Sequence, residues 1–317
     1  MSASRAGGIM PPAFGLTPAE LRALAQVSDA RGQLAVVAAD HDSPLVELLR
    51  GAGLPTTPEI QCAIKQDIVE TVGREASAML LDPDVSAAHI IERGALGRDV
   101  GLLLRIESDP YDTHEGLRRT LMIDDLGAAG ARRLGATAAK VMVWIRPDRE
   151  DLDGYTADFV RAVVKDCAEH DLLCVLEAMT YRLDDESQPA FAARRGKLVR
   201  DSAVFLQACG AKLLKLEYPG SPHGCEAVSE AISVPWAVLS AGVDHEAFCE
   251  QLTHSLQGGA CGFIAGRSLW KESAAMAPGE RRAFLDGPVR RRFDELLALL
   301  QAHGDPARGA LPWLQRS

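Results

Sequence analysis

The chain has 317 residues, of which 47% are apolar and 5% aromatic, and its formal net charge is −10. No dense stripe of Lys and Arg occurs, which argues against nucleic-acid binding, and no apolar run is long enough to span a bilayer. Because residues 1–15 lack the apolar segment of a signal peptide, we expect a cytoplasmic protein that contacts no membrane.

The first predicted element is a helix that begins after Thr17. Thr17 is a suitable N-cap, Pro18 occupies the first helical position, and Glu20 follows three residues after the cap, which is the capping-box pattern. Eight short apolar runs follow, separated mainly by segments with helical periodicity. This alternation predicts parallel strands with right-handed crossovers, and eight units favour a closed (β/α)8 TIM barrel over an open sheet with two edges to cover. The predicted strands are Leu34–Asp40, Ala78–Asp82, Gly101–Glu107, Ala138–Ile145, Leu172–Met179, Ala211–Tyr218, Pro235–Gly242 and Cys261–Arg267.

The barrel is predicted to occupy the whole chain as a single domain, residues 1–317. The length is close to that of other barrels of this class, and no linker interrupts the alternation of strands and helices. Residues 1–15 and 305–317 are predicted to be short terminal tails.

Two lysines are predicted to point into the barrel. In the sixth strand Leu214 and Leu216 suit the side that faces the helices, so Lys215 and Glu217 point inward. The same alternation in the fourth strand turns Lys140 inward. A buried lysine is costly unless it is paired or neutral, and a neutral amine attacks carbonyl groups. A second positive charge nearby favours the neutral amine, so the pair indicates Schiff-base chemistry.

Carboxylates occur where three predicted strands end, and active sites of such barrels lie at these ends. Asp40 and Glu107 end the first and third strands, and Glu177 lies near the end of the fifth. Each could belong to a structural ion pair. The whole set with two inward lysines favours catalysis, because apolar residues would usually fill the same volume with no loss of stability. A carboxyl group beside a carbinolamine can supply and remove protons.

The last two predicted strands end in small residues that suit a phosphate. Ser240 and Gly242 follow the seventh strand, and Gly266 and Arg267 follow the eighth. Small residues let backbone N–H groups approach an anion, and an arginine adds a bidentate charge. The loops after strands seven and eight are the common phosphate site of these barrels.

Metal and nucleotide cofactors are not expected. The eight histidines show no H-x-H or H-E-x-x-H spacing, which disfavours zinc, and no G-x-G-x-x-G or Walker motif is present. His41 follows Asp40 at a strand end and either faces the site or is an ordinary loop residue. Two alternatives stay open: a regulatory barrel that senses a sugar phosphate without turnover, and a metal-dependent aldolase.

Several motifs together carry a resemblance to a known family. They are Leu80-Leu-Asp-Pro83, Leu102-Leu-Leu with Glu107, Lys140, Leu176-Glu177 with Thr180-Tyr181, Leu214-Lys-Leu-Glu217, Leu239-Ser-Ala-Gly-Val243, and Gly266-Arg267 with Trp270. The chain resembles the class I tagatose-1,6-bisphosphate aldolase family, including the related sulfofructose-phosphate aldolases. The resemblance implies a metal-independent Schiff-base aldolase that cleaves a ketose 1-phosphate to dihydroxyacetone phosphate and an aldehyde. As partners we expect this small substrate and further copies of the chain in a homo-oligomer.

The resemblance also implies roles for individual residues. Lys215 corresponds to the Schiff-base lysine, Glu177 to the proton-transfer residue and Lys140 to the second lysine of the site. Lys65, in a predicted helix, matches a lysine shared by the family. The residues implied to hold the C1 phosphate are Ser240, Gly242 and Arg267.

One departure from the family lies at the first strand. The family typically ends this strand in Asp-Gln-Arg, whereas this chain has Asp40-His41-Asp42. Asp40 is retained, but Asp42 reverses a charge. If the family's arginine holds a distal anion, repulsion by Asp42 predicts a substrate without a second phosphate or sulfonate.

Overall fold

The computed structural model describes residues 15–305, so the two predicted tails fall almost entirely outside the described residues. Eight parallel strands close into a barrel in the order β1-β10-β9-β8-β7-β6-β3-β2, and two further strands, β4 and β5, form an antiparallel hairpin. The predicted TIM barrel is therefore confirmed. The strands are β1 Leu34–Ala38, β2 Ala78–Leu81, β3 Gly101–Arg105, β4 Glu107–His114, β5 Leu117–Met122, β6 Ala138–Ile145, β7 Leu173–Thr180, β8 Leu213–Leu216, β9 Trp236–Leu239 and β10 Gly262–Ala265.

Helices surround the barrel, and no helix within residues 15–305 is long and apolar enough to cross a membrane. Short 3-10 or π turns occupy Val72–Arg74, Pro83–Ala87, Lys271–Ala275 and Leu285–Val289. The α-helices are α1 Pro18–Gln26, α2 Ser43–Gly51, α3 Pro58–Glu70, α4 Ala88–Glu92, α5 Gly127–Arg133, α6 Tyr155–Glu169, α7 Gln188–Ala208, α8 Pro222–Ala231, α9 His245–Gln257, α10 Arg267–Trp270, α11 Pro278–Phe284 and α12 Arg290–His303.

Helix α1 packs with the apolar residues of the barrel interior. Its capping box is formed as predicted, with the Thr17 hydroxyl accepting from the Glu20 N–H and the Glu20 carboxylate accepting from the Thr17 N–H. Leu24 and Val27 are fully buried in the interior core, and each such side chain contributes about 1.5–3 kcal/mol through burial. Glu20 also accepts from Lys212 at 2.6 and 2.7 Å, which ties α1 to the residue before β8.

The side-chain alternation of the strands agrees with the sequence. Leu214 and Leu216 belong to the core between barrel and helices, whereas Leu213 belongs to the barrel interior. Lys215 and Lys140 are buried, and both line a cavity at the carboxyl ends of the strands. Period-two alternation therefore located both lysines correctly.

The hairpin β4–β5 was not foreseen, because the sequence analysis predicted only the eight strands of the barrel. Strand β4 is largely exposed and polar, so it lacks the apolar alternation of a strand. Its turn is Glu115-Gly116, and both residues have positive φ, 54° and 75°, as hairpin turns with a primed geometry require. The backbone N–H of Trp144 in β6 donates to Thr120 of β5 at 3.0 Å, which places the hairpin beside the barrel mouth.

Candidate active site

A cavity of about 230 Å³ lies at the carboxyl ends of the barrel strands. We call it the mouth pocket. It brings together all the predicted site residues except Lys65, although they come from seven different strands or the segments that follow them. The predicted site residues that line it are Asp40, His41, Glu107, Lys140, Glu177, Lys215, Ser240, Gly242, Gly266 and Arg267.

Lys140 is the centre of the buried charges. Its Nζ lies 3.0 Å from Asp40, 2.5 Å from Glu107 and 3.1 Å from Glu177. Burial alone would lower the pKa of Lys140, but the three carboxylates outweigh burial and raise it well above its ordinary value. Lys140 is therefore held as an ammonium ion, and a protonated amine is not a nucleophile.

Glu177 joins the two lysines. Its Oε1 lies 2.9 Å from Lys215 Nζ, and its Oε2 lies 3.1 Å from Lys140 Nζ. Burial would raise the pKa of Glu177, but the two lysines lower it below its ordinary value, so the group is a carboxylate. Within residues 15–305, Glu177 is the single ion-pair partner of Lys215, in contrast to the three carboxylates around Lys140.

The two other carboxylates around Lys140 differ from each other. Burial opposes ionisation of Asp40, yet the positive charges of Lys140 and Lys215 hold the pKa of Asp40 well below its usual range. Burial raises the pKa of Glu107 despite its contact with Lys140, and its Oε2 has no hydrogen-bond partner among the described residues. Asp40 is therefore an ionised base, whereas Glu107 takes up a proton more readily.

His41 is a neutral imidazole beside these charges. Burial is the main cause that lowers the pKa of His41 to about 3, with Arg267 and Lys215 acting in the same direction against Asp40. Its ring packs edge-on against Trp270, with ring centroids 5.5 Å apart. A Cβ on Gly266 would come within 2.6 Å of the ring, so this close approach requires glycine.

The loop after β9 and the start of α10 form a cradle opposite Lys140. Ala241 and Gly242 both have positive φ, 49° and 73°, and consecutive residues of this kind turn backbone N–H groups toward one concave side. Ser240 Oγ accepts from the Gly266 N–H at 3.3 Å, which joins the two loops. Arg267 lies against Gly242, where a Cβ would be 3.6 Å from the guanidinium carbon. Arg267 has no ion-pair partner among residues 15–305, so it is available to an anion.

Comparison with models of protein families agrees with the chemistry that this geometry suggests. The model of the DeoC/LacD family of aldolases matches residues 51–272, which is more than half of the chain. The chain belongs to the DeoC/LacD aldolase family.

The matches to curated relatives extend over nearly the whole length of this chain. The tagatose 1,6-diphosphate aldolase of Streptococcus agalactiae serotype V is 26% identical, and the match covers 96% of this chain and all of the relative. The tagatose 1,6-diphosphate aldolase of Lactococcus lactis subsp. lactis is also 26% identical, over 95% of this chain and 99% of the relative.

Solved structures share the fold at lower identity. An archaeal fructose-1,6-bisphosphate aldolase, solved with its catalytic lysine covalently bound to a carbinolamine intermediate, has a TM-score of 0.60 and 17% identity, covering 87% of this chain and 99% of its own. The fructose-bisphosphate aldolase of Slackia heliotrinireducens has a TM-score of 0.62 and 16% identity, covering 94% and 95%.

Lys65 lies apart from the mouth pocket of this aldolase-family chain. It projects from α3, is fully buried, and contacts Asp82 at 2.5 Å and Asp42 at 3.3 Å. Asp42 is also absent from the pocket lining and is bonded to the guanidinium of Arg105. Asp42 is therefore not a free carboxylate that faces the pocket, and the repulsion expected from the sequence lacks its structural basis.

Sequence reasoning missed further lining residues and misplaced one acid. Arg105, Asp109 and Trp144 line the mouth pocket, and the inward side of Arg105 follows from its period-two spacing in β3. Glu217, expected to point inward, instead accepts from Thr180 at 2.6 and 2.8 Å and from Arg195 at 2.8 Å. The expectation was wrong because β8 ends at Leu216, and the strand alternation does not extend past that residue.

Three potential metal ligands lie close together outside the mouth pocket. His245, Cys249 and Glu295 place one ligand atom each within 4.8 Å of one another, on α9 and α12. None of them lines the mouth pocket. The charged residues of the mouth pocket include lysines and carboxylates in mutual ion pairs, an arrangement suited to amine and proton chemistry.

Proposed function

We propose that the chain is a class I aldolase in which Lys215 forms a Schiff base with the C2 ketone of a ketose 1-phosphate. The observation that carries the proposal is the unequal pairing of the two lysines. Lys140 is surrounded by three carboxylates and stays charged, whereas Lys215 shares a single carboxylate, Glu177, that can take its proton. Lys215 is therefore the amine that can become neutral and attack.

The first half of the reaction forms the iminium. Glu177, a carboxylate 2.9 Å from Lys215 Nζ, first takes a proton from the Lys215 ammonium group. The lone pair of the resulting amine attacks C2, the carbonyl π pair moves to oxygen, and Glu177 gives its proton to that oxygen. Glu177 then takes a second proton from the nitrogen and gives it to the C2 hydroxyl, which leaves as water while the nitrogen lone pair forms the iminium. Lys140 holds Glu177 in place through the other carboxylate oxygen.

The second half breaks the C3–C4 bond. A base, Glu177 or Asp40, removes the C4 hydroxyl proton, and the electron pair of the C3–C4 bond moves into the iminium to give an enamine. The distal fragment leaves as an aldehyde. Protonation of the enamine at C3 and hydrolysis of the iminium by water release dihydroxyacetone phosphate and restore Lys215.

The cradle supports a phosphate on C1. Arg267 is a cation without a carboxylate partner among residues 15–305, and Ser240 and Gly242 lie on the same side of the pocket. Lys215 follows Glu177 around the barrel and precedes the strand that carries Ser240. A substrate anchored by its C1 phosphate at the cradle thus brings C2 to the lysine. The names of the curated relatives, which act on a ketose diphosphate, support the same substrate class.

Reductive trapping tests the proposal. Borohydride and dihydroxyacetone phosphate should add the reduced ligand to the peptide that contains Lys215, and Lys215→Met should abolish labelling. Lys197→Met, a change to an exposed lysine of α7, is the matched control and should label normally. Cleavage should also persist in EDTA. Labelling of Lys140, or activity lost with EDTA and restored by zinc, would refute the proposal.

A further inference from the structure

The cations of the mouth pocket are unequally available to a ligand. Four line it: Arg105, Lys140, Lys215 and Arg267. Arg105, Lys140 and Lys215 each have a carboxylate within 4 Å. Arg267 has no such carboxylate among residues 15–305. A buried ion pair is broken only at high cost, so the pocket offers one unpaired cation, at the C1-phosphate cradle.

The opposite side of the barrel mouth carries Arg105. Going around the barrel, β3 lies four strands from β9 in either direction, so the end of β3 faces the loop that holds Ser240 and Gly242. If the C1 phosphate lies at that loop and C2 at Lys215, as in the proposed function, the C4–C6 end of the substrate extends toward β3. The residues near Arg105 therefore contact the part of the substrate that becomes the aldehyde.

Both amino groups of Arg105 already have partners. The residue is 4% exposed, Nη1 donates to the carbonyl oxygen of Glu107 at 2.9 Å, and Nη2 donates to the Asp42 carboxylate. Its Nε has no hydrogen-bond partner among residues 15–305, but it is buried and not accessible to a ligand. Asp42 is held in turn by Lys65. A second anion could take this guanidinium only by displacing Asp42, which would leave a carboxylate without its strongest partner.

A further carboxylate lies on the same side. Asp109 lines the pocket and accepts from the backbone N–H of Ser43 at 3.1 Å and from its hydroxyl, both neutral donors. Its negative charge is therefore balanced by no cation within 4 Å among residues 15–305. Trp144 also lines this side, and the Arg118 guanidinium lies 4.7 Å from the centroid of its ring, although Arg118 itself does not line the pocket.

We propose that the distal half of the substrate is uncharged and hydroxylated, so that the chain cleaves a ketose 1-phosphate without a second phosphate or sulfonate. This inference rests on the proposed function and narrows its substrate class. It separates the chain from the curated relatives, whose names specify a 1,6-diphosphate. The paired Arg105 and the carboxylate of Asp109 suit hydroxyl groups, which can both donate and accept hydrogen bonds.

The test compares substrates that differ in one group. We would measure kcat/KM for tagatose 1-phosphate and tagatose 1,6-bisphosphate, and for the corresponding fructose pair, and use the epimer that is cleaved faster. The monophosphate should be preferred by at least tenfold at low ionic strength. A bisphosphate that is cleaved as well as its monophosphate, or better, would overturn the inference.

A pair of variants tests the cause. Asp42→Asn releases the Arg105 guanidinium and should shift the preference toward the bisphosphate by about tenfold. Asp84→Asn is the matched control, because Asp84 is 3.7 Å from the same guanidinium but half exposed and outside the pocket lining, and it should leave the preference unchanged. An unchanged preference in Asp42→Asn would overturn the role of this pair. If Asp42→Asn fails to fold, the wild-type preference still decides the substrate class.

Failure of this inference is distinguishable from failure of the proposed function. Dihydroxyacetone phosphate has no distal half, so trapping on Lys215 depends on the Schiff base and the C1-phosphate cradle alone. Trapping with a preference for the bisphosphate would refute only the distal assignment, whereas absence of trapping would refute the proposed function.

Discussion

Replacing Arg267 by alanine removes the one pocket cation that has no carboxylate partner among the described residues. The change leaves no buried carboxylate unpaired, in contrast to substitution of Lys140 or Arg105. The folded state should therefore lose little stability, and the effect should fall on the ligand. A charge-assisted contact with a phosphate is worth about 1.5–3 kcal/mol, which corresponds to a loss of roughly 10- to 150-fold in kcat/KM.

The assay separates phosphate binding from other roles of Arg267. Cleavage is followed by the release of the aldehyde, which the ketose 1-phosphate and the unphosphorylated ketose, used as a second substrate, both produce. The loss should appear with the phosphorylated substrate only, and inhibition by inorganic phosphate should weaken to a similar extent. Arg267→Lys, which keeps the charge without the bidentate fork, should restore part of the activity. Equal losses for both substrates, or a large decrease in thermal stability, would refute the reasoning.

Two further predictions concern stability. Lys140→Met leaves three carboxylates without their shared cation and should lower the free energy of unfolding by about 3–5 kcal/mol at pH 8, measured by urea denaturation. The decrease should be smaller at low pH, where the carboxylates bind protons. A decrease below about 1 kcal/mol at pH 8 would contradict the charge arrangement. His41 has its pKa lowered to about 3, so its neutral form stabilises the fold above the unfolded-state value near 6.5, and this contribution is lost as the pH falls. Between pH 7 and pH 5 the wild type should therefore lose about 1–2 kcal/mol more than His41→Gln, and identical pH profiles would show that the ring is accessible to protons.

The barrel was predictable from the sequence because its strands are apolar and evenly spaced. Strand β6 was predicted with both ends correct, Ala138–Ile145, since its alternation is unbroken over eight residues. The fifth predicted strand is shifted by one residue from β7, and the six others extend too far, mostly at their carboxyl ends. There, residues such as Asp40 and Ser240 leave the ladder and turn their side chains into the pocket. The predicted strands were therefore too long because they included functional residues that lie just beyond the observed strand ends.

The hairpin and its contacts were not predictable from apolar patterns. The guanidinium of Arg118 lies 4.6–4.8 Å from the ring centroids of Tyr111, Trp144 and Tyr181, and this cation–π cluster holds the hairpin against β6 and β7. Such contacts join residues far apart in the sequence and leave no periodic signal. The local signal was the pair Glu115-Gly116, and a glycine in a two-residue turn is weak evidence when the flanking strands are polar.

The substitution at position 42 illustrates why a motif is interpreted through its neighbours. Taken alone, an aspartate where the resemblance implies an arginine predicts a negative charge beside the substrate. In the fold, Asp42 is turned away from the pocket and bonded to Arg105, which reaches the same region from β3. The region thus keeps a guanidinium, but its amino groups are occupied by Asp42 and a backbone carbonyl. Recognition of an anion requires accessible donors as well as charge. Our proposal of an uncharged distal group therefore agrees with the preference predicted from the sequence, but it has a different physical cause.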